Sequence, residues 1–409
     1  MSGQAAIVAP ADDRRARRNV FILAVAGALG GSAPPINVAT AALAGYALLG
    51  DDKALATLPV TAFVVGTACG TVPAALLMRR FGRRPGFIAG MLVGAAGAGL
   101  QALAMAAAGF LLLCAGSFLV GFATAFAQQF RFAAADTASE TFRPKAISLV
   151  LAGGIAAAVI GPQTVIHTAD LFASMPFAGA YLGAAVLLVA AALVLCFLDI
   201  PKPPPRRGRA GGRPILEIAR RPDFLVAVGC ATSAYALMSF VMTAAPLAMV
   251  MHQHHQNDAV LGIQWHVLAM FGPSFVTGSL IARFGAEKVV ASGLFLLGVS
   301  ALVALAGTTV AHFWLTLVLL GLGWNFGFIG GTALVTRTYR PEEREKVQAL
   351  NDFLIFGFVA LASFSSGGLL QVGGWNVLNL VVLPVVLLCL FGLFWQARRP
   401  HARRDARFP

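Results

Sequence analysis

The sequence predicts an all-α integral membrane protein of twelve transmembrane helices, built as two pseudo-symmetric six-helix bundles. Three observations predict it. The 409 residues are 58% hydrophobic and only 11% charged, against about 25% charged in soluble chains. All but Lys53 and Arg131 of the 30 Lys and Arg fall in the termini and in every second loop. Two short motifs recur at matching places in the two halves of the chain.

A bilayer-spanning helix needs roughly 20 apolar residues, and the runs can be taken in order. Run 20–47 follows Arg14, Arg15, Arg17 and Arg18. That opening also suits a signal peptide, but the run is too long for one and more spans follow, so it reads as an anchored helix. Run 55–77 ends in the island "MRRFGRRPG", 78–86. Runs 87–107 and 110–135 follow, then "TFRP" at Thr141–Pro144, then 146–168 and 177–198. Proline, glycine and arginine deny regular structure to 199–223. Runs 224–250 and 262–282 lead to the shortened island "ARFGAEK", 282–288. Runs 289–309 and 313–335 lead to "TYRP" at Thr338–Pro341, and 347–369 and 376–396 complete the set. None shows the alternation of a barrel wall. Pro34–Pro35, Pro162 and Pro273 are expected to break backbone bonds within spans.

The repeats "RFG" at Arg80–Gly82 and Arg283–Gly285, and "TFRP" with "TYRP", divide the chain into a bundle 1–198, a linker 199–223 and a bundle 224–409 with a basic tail. The basic loops define one face of the protein and the loops without clustered cations the other, the neutral face. Basic loops stay cytoplasmic, so both termini are expected there. Arginine-over-lysine usage points to a bacterial inner membrane. The net charge of +13 would suggest nucleic acid in a soluble chain, but its confinement to one face argues for membrane topology and against nucleic acid. Cys69, Cys114, Cys196, Cys230 and Cys389 sit singly and support neither disulfides nor zinc.

Twelve spans, the six-plus-six repeat, the basic linker and the island together resemble the major facilitator superfamily over the whole chain. The family's motif reads roughly Gly-x-x-x-Asp-Arg-x-Gly-x-Arg-Arg. Arg80, Gly82 and Arg84 match it, while Ala75 and Arg79 replace its Gly and Asp. In the second half Gly278, Arg283 and Gly285 match, and Ala282 replaces Asp. Gly161–Pro162 matches a second signature, with Gln163 and Thr164 in place of its following Gly-Gly. The resemblance implies a secondary transporter that works as a monomer, with these motifs gating its cytoplasmic side. The lost Asp suggests a reversed pair of Arg79 or Arg80 with Asp352. The stretches "GIQWHVLAMFGPSF" and "ADTASETFRPKAISLVLAGG" are similar to a bacterial branch that includes riboflavin uptake proteins.

Ionisable groups inside spans are costly and therefore functional candidates. Arg131 and Asp136 are expected to pair with each other or to gate and couple transport; Glu140 and His167 lie near span ends. The candidate substrate site is amide- and aromatic-rich: Asn37, Gln128, Gln129, Tyr235, Gln264, Trp265, His266, Trp324, Asn325 and Asn351. Trp265 suits an interface anchor equally well. "HQHH" at His252–His255 suggests metal capture or a solvated loop.

No phosphate loop, HExxH or GxSxG is present, so neither enzyme chemistry nor a cofactor is expected. The driving force is expected to be an ion gradient, with protons the candidate ion, or the substrate's own gradient. A flat, largely neutral solute suits the candidate residues, with riboflavin uptake the best reading and a multidrug/proton antiporter the alternative. A membrane scaffold or a channel fits less well, because polar groups sit in both halves and the latch is repeated.

Overall fold

The computed structural model describes residues 13–51, 53–139, 142–200 and 212–398. The linker stretch 201–211, Glu140, Thr141 and the basic tail 399–409 lie outside the described residues.

Among the described residues every regular element is a helix. The first half holds α1 (Asp13–Gly30), α2 (Ala33–Leu48), α3 (Leu58–Phe81), α4 (Arg83–Ala106), α5 (Phe110–Ala127), α6 (Phe130–Thr137), α7 (Arg143–Thr168) and α8 (Ala178–Leu195). A short α9 (Ile215–Ala219) precedes α10 (Pro222–Met251), α11 (Gln256–Phe271), α12 (Ser274–Phe284), α13 (Ala286–Ala306) and α14 (Val310–Thr336). A 3-10 turn, Pro341–Glu343, leads to α15 (Arg344–Leu380) and α16 (Val382–Arg398). Ten helical runs are long and apolar enough to cross a membrane, or eleven if the bent pair α11–α12 counts as one span. The eleventh and twelfth expected spans both fall in one run, Lys346–Arg398.

The breaks differ from the simplest sequence reading. Run 20–47 divides at Gly31–Ser32, and Pro34 and Pro35 sit in the first turn of α2, where the missing N–H costs nothing. Run 110–135 divides at Gln128–Gln129. Run 262–282 bends by 42° between α11 and α12, at Gly272–Pro273. The expected gap before the last span contains non-helical Gly374, φ 71°. Pro162, by contrast, stays inside an unbroken α7.

Lipid explains the surface. Leu111 is 77% exposed, Val186 67% and Phe391 66%, a distribution that water would penalise. Small residues set the helix spacing. A Cβ on Gly66 would lie 2.1 Å from the Phe118 carbonyl oxygen, and one on Gly121 2.0 Å from that of Phe63, so α3 and α5 approach backbone to backbone. The two halves meet where α2 packs on α10 and α11, α3 on α15, and α7 on α11.

Candidate functional site

Towards the neutral face the halves are joined by polar and apolar contacts. The Thr61 hydroxyl donates to Ser363 Oγ at 3.2 Å, and Thr243 Oγ1 lies 3.4 Å from the same oxygen. Gln163 Nε2 on α7 donates to Gln264 Oε1 on α11 at 2.9 Å. Val64 of α3 packs with Ala231, Ile355 and Val359 of the second half. These contacts form a neck. Among the described residues, ion pairs near the basic face include Arg83–Asp136 and Arg337–Glu287, each within one half, and Arg15–Asp199, Arg221–Asp223 and Arg213–Glu343, which involve residues flanking the linker.

An aromatic wall stands beside the neck. Tyr235 contacts Trp324 edge-on at 5.5 Å and Phe328 at 5.1 Å, with Phe356 at 6.3 Å. Trp324 stacks on Phe328 at 5.2 Å and 16°, and Phe271 closes the group at 6.1 Å. Tyr235 and Phe328 also border the apolar neck cluster. The Trp324 Nε1 donor is buried without a protein partner. Asn351 Nδ2 donates to Asp352 Oδ1 at 3.1 Å, leaving its buried Oδ1 unpartnered. Aromatic faces with spare hydrogen-bonding groups can hold a flat polar ring.

Other expected site residues are engaged in packing. Asn325 donates to the Met270 carbonyl at 2.6 Å and to Ser274 Oγ at 2.7 Å, and accepts from Thr277 at 2.5 Å. It therefore satisfies the backbone freed at the α11–α12 bend and does not project into a cavity. Asn37 accepts from Gln101 Nε2 at 2.7 Å, and Gln101 also reaches Ser117 Oγ at 2.8 Å. Buried His266 Nδ1 lies 2.7 Å from the Leu317 carbonyl, with its Nε2 unpartnered. Trp265 is 44% exposed and outside the aromatic wall, as an interface anchor would be. Gln128 is exposed and Gln129 half-buried, both at the α5–α6 break.

The charged expectations need correction. Asp136 pairs with Arg83 at 3.0 and 2.8 Å, not with Arg131. Arg83 is the first residue of α4, directly after the Gly82 turn, and this restart aims it at α6. Arg131 is exposed, its guanidinium 4.8 Å above the Phe132 ring. The reversed pair of Arg79 or Arg80 with Asp352 is not formed. Arg79 and Arg84 are exposed, and Arg80 lies 5.3 Å over Phe81. Arg283 lies equivalently over Phe284 at 5.2 Å. Gly82 (φ 98°) and Gly285 (φ 87°) make the turns that follow these arginines. Gly161, in the Gly-Pro signature, faces α2 so closely that a Cβ would sit 2.7 Å from the Ser32 carbonyl oxygen.

His252–His255 forms no metal site: among the described residues no three His, Cys, Asp or Glu converge on one point. His254 Nε2 bonds the Thr308 carbonyl at 2.6 Å, and His255 Nδ1 caps α11 through the Asn257 N–H at 3.1 Å.

Sequence reasoning missed Arg213 and Glu343. Buried Glu343 accepts from Arg213 Nε at 2.8 Å, Arg213 NH2 at 2.7 Å and the Arg213 backbone N–H at 2.8 Å. Arg340 N–H adds a bond at 2.9 Å, and Lys346 Nζ reaches the Arg213 carbonyl. The Arg213 bonds hold the Glu343 carboxyl well below the usual carboxylate range, and the same bonds raise Arg213. The only available signal was the acid pair after "TYRP" facing an arginine-rich linker.

The sequence profile of the Major Facilitator Superfamily matches residues 19–273 and 230–408. The chain is 49% identical to the riboflavin transporter RfnT of Brucella anthropi, over 97% of this chain and 100% of that protein. It is 30% identical to the uncharacterized MFS-type transporter YdeG of Bacillus subtilis, over 91% of each chain. The fold is similar to that of the nucleoside transporter NupG, with a TM-score of 0.71 and 13% identity, over 92% of this chain and 99% of that one. Sequence profile, near-full-length relatives and fold agree: the chain belongs to the Major Facilitator Superfamily.

Proposed function

We propose that this chain imports riboflavin across a bacterial inner membrane as a monomer, with both termini cytoplasmic. Two six-helix bundles, twelve crossings in all, rock about a site near the midplane. The observation that carries the substrate is the near-full-length relation to RfnT. The site supports it physically. Isoalloxazine is a flat, neutral ring with a polar imide edge. Parting of the Tyr235–Trp324–Phe328 wall would offer it aromatic faces, and the spare Trp324 Nε1 a donor.

The neck supports a reading of the conformer as open towards the basic face. Thr61, Gln163 and Ser363 close the neutral side, while Arg83–Asp136 and Arg337–Glu287 each stay within one half and Arg131 attracts Asp352 across the halves without a direct ion pair. Riboflavin would leave into the cytoplasm from this state, and the neck would open to admit the next molecule.

Labelled riboflavin uptake in a riboflavin auxotroph expressing this chain tests the proposal. Growth on low riboflavin, with saturable uptake, is the expected result. Absence of uptake together with raised drug tolerance would replace it with the exporter reading.

A further inference from the structure

A second recess lies away from the aromatic wall, between the basic-face ends of α1 and α7. It has a volume of about 310 Å³ and is lined by Arg17, Val20, Phe21, Ala24, Phe142, Lys145 and Leu149. Two features set it apart from ordinary lipid-facing surface. Among the described residues its lining carries two cations, Arg17 and Lys145, and no acidic group. Its walls are apolar and open: Phe21 is 70% exposed and Leu149 43%. Arg17 is held at the mouth, its guanidinium 5.7 Å above the Phe142 ring. Arg17, Phe21 and Ala24 share one face of α1, so charge grades into hydrocarbon along the direction a membrane normal would take.

We propose that this recess is a binding site for an anionic phospholipid. Its phosphate would lie between the Arg17 guanidinium and the Lys145 ammonium, with an acyl chain along Phe21, Ala24 and Leu149. Charge complementarity selects the occupant. A zwitterionic lipid carries its own ammonium into a site that already holds two cations. A free phosphate would leave Phe21 and Leu149 uncovered. Cations near a membrane surface attract anionic lipid, and hydrocarbon contact adds to the hold.

Native mass spectrometry of the purified, delipidated full chain tests the site. The chain is titrated in parallel with phosphatidylglycerol, phosphatidylcholine and glycerol phosphate. Phosphatidylglycerol adducts are expected to persist at several-fold higher occupancy than phosphatidylcholine, and glycerol phosphate to give none. The Arg17→Ala/Lys145→Ala chain is expected to lose phosphatidylglycerol affinity on the order of tenfold or more. Arg17→Lys/Lys145→Arg is expected to retain it, which separates lost charge from lost fold. Equal retention of the two lipids, undiminished phosphatidylglycerol binding by the alanine chain, or adducts with glycerol phosphate alone would overturn the proposal.

Discussion

Thr61 and Ser363 meet at 3.2 Å across the two halves of the chain, joining α3 to α15 on the neutral side. Both side chains are short, so this contact brings the backbones close as well. If transport requires the neck to part, a covalent bond here must stop it. A Thr61→Cys/Ser363→Cys chain, oxidised in membranes, is expected to lose riboflavin uptake, and reduction to restore it. The native Cys69, Cys114, Cys196, Cys230 and Cys389 are all free and lie elsewhere, so each single variant serves as control. Full uptake by a crosslinked chain would mean that the neck does not move.

Trp324 and Asn325 are neighbours in sequence with opposite expected roles. Trp324 stacks on Phe328 and keeps a buried, unpartnered donor. Trp324 is only 7% exposed, so Trp324→Phe, which keeps most of the packing and removes the donor, is expected to raise the KM for riboflavin by roughly tenfold, about 1.4 kcal/mol, while Trp324→Ala is expected also to cost about 3–5 kcal/mol of stability. Asn325 has spent its amide on Met270, Ser274 and Thr277. Asn325→Leu strands those groups and is expected to destabilise the fold by about 1–3 kcal/mol, with KM unchanged for the protein that folds. Uptake kinetics and thermal melting, measured on these variants, check the division. A stable Asn325→Leu with a raised KM would move Asn325 into the substrate site.

Gly82 and Gly285 occupy equivalent turns at φ 98° and 87° with extended ψ, a region open essentially to glycine alone. The nearest obstacle to a Cβ on Gly82 is Pro85 Cδ at 4.0 Å, so space is not the constraint. Gly82→Ala and Gly285→Ala are each expected to cost about 1–3 kcal/mol from backbone strain. Gly99 in α4 has no neighbour within 4 Å and no positive φ. Gly99→Ala is expected to be neutral or stabilising, by up to about 1 kcal/mol. Melting temperatures of the three variants decide it, and an unaffected Gly82→Ala would remove the conformational account of the motif.

These glycines were legible because the requirement is local: one glycine, two residues past an arginine, turns the chain between two helices. The apolar runs and the face-sorted cations were legible for the same reason, since lipid acts on each segment separately. Partner choice was not. Asp136 could have met Arg131 in its own short helix, yet the turn at Gly82 delivers Arg83 to it from α4. Asn325 has the composition of a cavity amide. Only the 42° bend at Pro273, packed beside it, shows whose backbone it satisfies. The aromatic wall was half-visible: Tyr235 and Trp324 stood out as rare polar aromatics, but Phe328 and Phe356 are lost among 30 phenylalanines.

Glu343 supplies the clearest pH dependence. Arg213 bonds hold its folded-state carboxyl well below the unfolded value of about 4.3. The stabilisation is therefore complete above that value, and it is lost as pH falls towards the depressed folded one. Glu343 is fully buried, and its partner is 19% exposed. Glu343→Gln removes the charge beneath Arg213 and is expected to cost about 3 kcal/mol at neutral pH. The melting temperature of the native chain should fall between about pH 5 and pH 3 more steeply than that of Glu343→Gln, because one linked proton is gone from the variant. Parallel slopes would show that the pair is not formed in the folded protein. Because the bond ties the linker's end to the turn before α15, a loss of melting temperature with uptake preserved would mark it as an anchor, not as part of the transport cycle.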